Sequence, residues 1–239
     1  MILFCFLYLS TSLKKLSAIN VTTRHYSGSI SNFTDLFTAM REAYEEENLT
    51  KAGFLIAKNS STIFSAEPNP STRENIDCIF LDPYKYAYDR FLTALNDPVM
   101  EITWDFLSSK VFLESYTITY SRLPRFMNHY QLFGEASPGN WIILDDRTTK
   151  DDEIIELGKI GNVDKNWAIH YDLPTQKRNY SKFKLKNIDG NKNYGDKYLV
   201  LSKMLFFGTL YPGKMLYTEQ KVKRKEQMLF NFAMFSNFA

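Results

Sequence analysis

The chain is predicted to be all-β, an antiparallel β-sandwich with an N-terminal helix and a C-terminal helix. Three observations carry this. Tyr116, Ile118 and Tyr120 alternate with Thr117 and Thr119, and Phe183 and Leu185 alternate with Lys184 and Lys186. Such a period of two marks a half-buried strand, with one face toward a core and one toward water. Aromatics reach 15%, with 19 Phe and 15 Tyr, and these residues favour strands and sandwich cores. Finally, ITWDF, ESYTITY, HYQLFGEASPGNWIILDDR, NYSKFKLKNI and KMLFFGTL follow one another between Ile102 and Leu210. They read as successive strands ending in an aromatic–Gly stop at Phe206, Phe207 and Gly208.

The elements follow in order. Met1–Leu9 is apolar but too short for a bilayer, which needs about 20 residues. Read as a signal peptide, it would be cleaved near Ser17-Ala18, although Lys14 and Lys15 follow the apolar run instead of preceding it. The alternative is a buried N-terminal segment or the remnant of a longer gene model; a cytoplasmic chain is the expectation, a secreted one if Met1–Ala18 is a signal peptide. Asn20, Asn32, Asn48, Asn59 and Asn179 begin sequons, which matter only on secretion. Ser31–Leu49 reads as a helix with Ser31 as N-cap. Phe33, Leu36, Phe37, Met40 and Tyr44 form its apolar stripe, and Glu45–Glu47 weaken its last turn.

Short strands are expected at Phe54–Ala57, Thr62–Ser65 and Ile76–Leu81, with Ala66–Arg73 a Pro-containing loop. In Pro83–Phe91, Tyr84, Tyr86 and Tyr88 alternate with Lys85 and Ala87. Loops are expected at Ser121–Asn128, Glu135–Asn140 and Asp145–Glu153. The last carries Asp145, Asp146, Asp151 and Asp152, which lack the spacing of a calcium loop and read as a solvated acidic segment. Pro174–Ser181 joins two strands and carries Lys177 and Arg178, and Asn187–Lys197 reads as a hairpin loop. Pro212 and Gly213 close the domain. In the tail, Lys221, Lys223, Arg224 and Lys225 precede an apolar patch of Met228, Leu229, Phe232 and Phe235. A basic amphipathic tail of this kind is the one segment suited to membrane contact.

The 239 residues suit one domain of about 150 residues plus flanks. The expected division is 1–51 leader and helix, 52–211 sandwich, and 212–239 tail. A net charge of +2 gives no nucleic-acid footprint. Two cysteines, Cys5 and Cys78, and three dispersed histidines argue against a disulfide scaffold and a structural zinc site. His170, inside the strand-like WAIHY, reads as structural. The sequence carries no phosphate loop, nucleophile elbow or H-E-x-x-H motif. The expectation is a non-enzymatic chain with no cofactor and no metal.

The ordered series also resembles a discoidin domain, the coagulation-factor C-type domain of the galactose-binding-like superfamily. Trp104, Asp105 and Phe106 carry the resemblance, followed by Ser115, Tyr116, Thr117 and Ile118. Gly134, Trp141, Leu144 and Asp145 come next, and then Phe206, Phe207 and Gly208. It spans roughly residues 52–211, is strongest from Ile102 onward, and is nearest to protist versions that follow BTB and BACK modules. Departures are His129 and Tyr130 where a Trp is usual, and Lys182 and Lys184 where an Arg is common. The end-to-end disulfide of secreted members also has no counterpart here.

The resemblance implies a jelly-roll sandwich whose loops at one end bind a glycan or a protein. Those loops would present Tyr84, Tyr86, Arg122, Arg125 and Arg178 as ligand-binding residues, since sugars want an aromatic face beside hydrogen-bonding groups. The alternative is a scaffold piece of a BTB-type adaptor with no small ligand. It would dock an upstream module through exposed Phe33, Leu36 and Phe37.

Overall fold

The computed structural model describes residues 18–21, 35–45, 49–50, 54–59, 91–92, 100–121, 126–158, 166–173, 178–192 and 199–213. The strands are β1 (Ile19–Val21), β2 (Ile56–Asn59), β3 (Phe91–Leu92), β4 (Glu101–Asp105), β5 (Lys110–Ser121) and β6 (His129–Ser137). They continue with β7 (Asn140–Thr148), β8 (Ile155–Glu156), β9 (Asn166–Asp172), β10 (Lys182–Asn187), β11 (Val200–Leu201) and β12 (Lys203–Tyr211). One helix, α1 (Leu36–Tyr44), is described.

Two five-stranded antiparallel sheets face each other. The first has the order β1-β12-β5-β9-β8 and the second β2-β4-β10-β6-β7; β11 pairs with β3 separately. The chain is thus an all-β antiparallel sandwich with a helix packed on it. The alternations read from the sequence place the core. Tyr116, Ile118 and Tyr120 from β5 and Phe183 and Leu185 from β10 are fully buried between the sheets. Phe206 of β12 sits at the centre, 5.4 Å from Trp104 and 5.3 Å from both Phe183 and Phe37 between ring centroids. Tilted and edge-on ring pairs at these distances add to the burial itself.

The first sheet departs from the expected wet outer face. Ser115, Thr117, Leu205 and Phe207 point away from the core yet are buried. Thr117 meets its polar need through its hydroxyl, 2.8 Å from His170 Nδ1. This gives His170 the structural role its sequence context suggested.

Other boundaries also move. The helix starts later than Ser31: Asp35 is the N-cap, its carboxylate accepting from the Thr38 N–H at 2.9 Å. It ends at Tyr44, where Glu45 turns left-handed at φ 57°, so the helix stops short of Leu49. Its described stripe residues Leu36, Phe37, Met40 and Tyr44 are buried, with Phe37 against Phe106 and Phe206. Phe33 lies outside the described residues, as do the expected strands at 62–65 and 76–81, the tail and both cysteines.

Glu135–Asn140 is mostly strand. Only Pro138 and Gly139 form the turn, with Gly139 at φ 78°, suited to Pro then Gly in a type II turn. Gly208 does not stop its strand. It sits at φ 142° in a bulge between Phe207 and Gly208, and β12 continues to Tyr211. A Cβ there would lie 2.0 Å from the Phe112 carbonyl oxygen, so the close approach of two strands demands glycine.

Candidate functional site

Of the five loop residues singled out from the sequence, only Arg178 is among the described residues. Tyr84, Tyr86, Arg122 and Arg125 lie outside the described residues. Arg178 is exposed two residues before Tyr180, which bridges to Val111 at the start of β5. Residues 122–125 leave from Ser121, the far end of that twelve-residue strand. At about 3.4 Å per residue, the two ends of β5 are more than 30 Å apart. Arg178 therefore stands at the opposite end of the sandwich from the point where the Arg122–Arg125 segment departs.

The described residues instead build a site on the outer face of the second sheet. On β10, Lys182, Lys184 and Lys186 point outward because Phe183 and Leu185 point in. Strand register sets Asp105, Thr103 and Glu101 of β4 opposite them on one side. On the other side Phe133 and Gln131 of β6 lie beside Lys184 and Lys186. Next in the sheet, β7 places Trp141 beside Glu135, Ile143 beside Phe133, and Asp146 beside Gln131.

At the centre the Lys184 ammonium lies over two rings, 4.5 Å from the Trp141 centroid and 5.1 Å from that of Phe133. Both rings are half-buried and Ile143 is 50% exposed. Glu101 holds the same ammonium at 3.8 Å. Beside it, Lys182 Nζ is 3.1 Å from Glu135 Oε2 and 3.7 Å from Asp105 Oδ2. The other oxygen of Glu135 accepts from the Gly139 N–H at 2.8 Å, which ties the β6–β7 turn to the face. Burial alone would raise the Glu135 carboxyl, but the Gly139 N–H and the Lys182 ammonium outweigh it and hold it below the ordinary glutamate value. At the far rim, Asp146 accepts from Gln131 at 2.7 Å and meets His129 Nε2 at 2.6 Å. These two contacts, His129 first, pull its carboxyl down.

Asp145 and Asp146 are therefore not a solvated acidic loop. Both lie in β7, and Asp145 is buried between the sheets. It accepts from the Tyr116 hydroxyl at 2.8 Å and from Arg147 Nε at 2.9 Å. Arg147 stacks 4.5 Å over the Tyr171 ring, and the Tyr171 hydroxyl donates to Glu153 at 2.5 Å. Burial holds the Tyr116 and Tyr130 phenols far above the ordinary tyrosine value, and neighbouring acidic groups add to it. Both phenols stay protonated, and the network clips the two sheets together. No cluster of three metal-ligating side chains occurs among the described residues, nor a helix long and apolar enough to cross a membrane.

Neither a protein-family model nor a curated protein matches the sequence. Solved structures are similar at low identity. A CBM32 module from Clostridium perfringens, in complex with GalNAc-beta-1,3-galactose, is 11% identical with a TM-score of 0.45, covering 66% of this chain and 97% of its own. CBM32-3 from a family 31 glycoside hydrolase of Clostridium perfringens is 13% identical, TM-score 0.46, covering 66% and 92%. The C-terminal domain of a chitobiase from Bacteroides fragilis is 10% identical, TM-score 0.46, covering 67% and 97%.

Proposed function

We propose that this chain is a non-catalytic recognition module that binds a glycan on the outer face of its second sheet. One observation carries the reading: the half-buried rings of Trp141 and Phe133 are set among paired charged donors and acceptors on rigid strands. A pyranose has an apolar C–H face and a rim of hydroxyls. It stacks on an aromatic ring while its hydroxyls accept from ammonium groups and donate to carboxylates. Trp141 would supply the stacking surface. Lys182 and Glu135, 3.1 Å apart, would bridge two adjacent hydroxyls. The placement on β6, β7 and β10 fixes these groups before ligand arrives, which limits the ordering cost of binding.

The test is a glycan array probed with the full chain, a Trp141→Ala variant, and a Tyr84→Ala/Arg122→Ala/Arg125→Ala variant. The proposal predicts saturable binding lost in Trp141→Ala and kept in the loop variant. The reverse pattern would keep the glycan and move the site to the loops. No glycan signal from a folded chain would defeat the reading in favour of a protein-binding scaffold.

A further inference from the structure

Resting on that glycan reading, we infer that Glu101 and Glu135 are specificity-determining residues of the face, turning away acidic sugars and favouring neutral ones. The described side chains of this face bring Glu101, Asp105, Glu135 and Asp146 beside Lys182, Lys184 and Lys186. That is four carboxylates against three ammonium groups, so the described side chains carry no positive excess despite the row of lysines. Each of the two central lysines is matched: Lys182 with Glu135 and Asp105, Lys184 with Glu101. A sialylated or sulfated sugar would have to break these pairs or sit against the carboxylates, and like charges at such range are repelled. A cationic ligand would meet the Lys184 ammonium at both rings, and like charges at that range repel. A neutral polyol has no charge to repel, and its hydroxyls both donate and accept, which is what alternating ammonium and carboxylate groups require.

The experiment is an array bearing neutral oligosaccharides beside sialylated and sulfated forms of the same cores. It is probed with the full chain and with a Glu101→Gln/Glu135→Gln variant checked by circular dichroism. The unaltered chain is expected to retain the neutral form at least ~10-fold better than its acidic counterpart, and the variant to narrow that ratio by about 10-fold. Preference of the unaltered chain for acidic forms, or an unchanged ratio in the variant, would overturn the inference while leaving the glycan reading standing. Absence of any retention defeats both. Should the double variant fail to fold, Glu101→Gln alone carries the test, since its carboxylate contacts Lys184 only at 3.8 Å.

Discussion

Trp141 and Asp145 sit four residues apart on β7 and do opposite work. Trp141 faces outward and contributes little to the core, so Trp141→Ala should leave the thermal midpoint nearly unchanged. It should weaken glycan binding by about 10-fold or more, as expected for loss of an aromatic stacking surface; calorimetric titration measures this. Asp145→Ala should instead destabilise the fold by about 2–3 kcal/mol, because it removes the buried carboxylate that accepts from both the Tyr116 hydroxyl and Arg147. Urea unfolding checks it, and Tyr116→Phe should cost less, about 1 kcal/mol. The role of Asp145 was hidden in the sequence for a physical reason. The register of β6 and β7 shifts between Leu132 and Phe133, so consecutive Leu144 and Asp145 are both buried and the period of two breaks there. Acidic residues 145, 146, 151 and 152 then resemble a solvated loop. The lysines of β10, by contrast, follow an unbroken alternation, and their outward face was legible.

At the scale of elements, the β6 strand depends on Gly134. A Cβ at that position would lie 2.7 Å from the ring atoms of Tyr180, which covers the inner face there. Gly134→Ala is expected to cost about 1–3 kcal/mol through overpacking, read as a lower denaturation midpoint. The penalty should shrink in a Tyr180→Ala background, where the ring is gone. Equal penalties in both backgrounds would contradict the contact. The resemblance had marked Gly134 without a reason; the Tyr180 ring supplies one. Helix boundaries were less legible. The apolar stripe of α1 was read correctly for the described residues, but the N-cap fell on Asp35, whose carboxylate accepts from the Thr38 N–H.

For the molecule as a whole, the two sheets differ in availability. Ser115, Thr117, Leu205 and Phe207 are buried in the first sheet although they point away from the core, whereas Glu114 and Asp172 of the same sheet are exposed; the second sheet presents its charged and aromatic face. The alternation predicted one wet face for each sheet, and β10 of the second sheet keeps it without a break. Binding through that face should depend on pH in one direction. Glu135 has its carboxyl depressed below the ordinary 4.5, so it stays ionised, and its pairing stays intact, through neutral and mildly acidic pH. As pH falls through the depressed value the carboxylate is protonated, the Lys182 contact is lost, and affinity should fall with it. Titrations from neutral pH downward should therefore show a plateau that persists past the ordinary glutamate value, followed by an acidic decline.

The central claim is the location of the site, and mapping of amide NMR shifts during titration with an array-selected oligosaccharide tests it most directly. The account predicts saturable shifts centred on Phe133, Glu135, Trp141, Lys182 and Lys184. Shifts confined to residues 84–86 and 122–125, with those five positions unmoved, would contradict it.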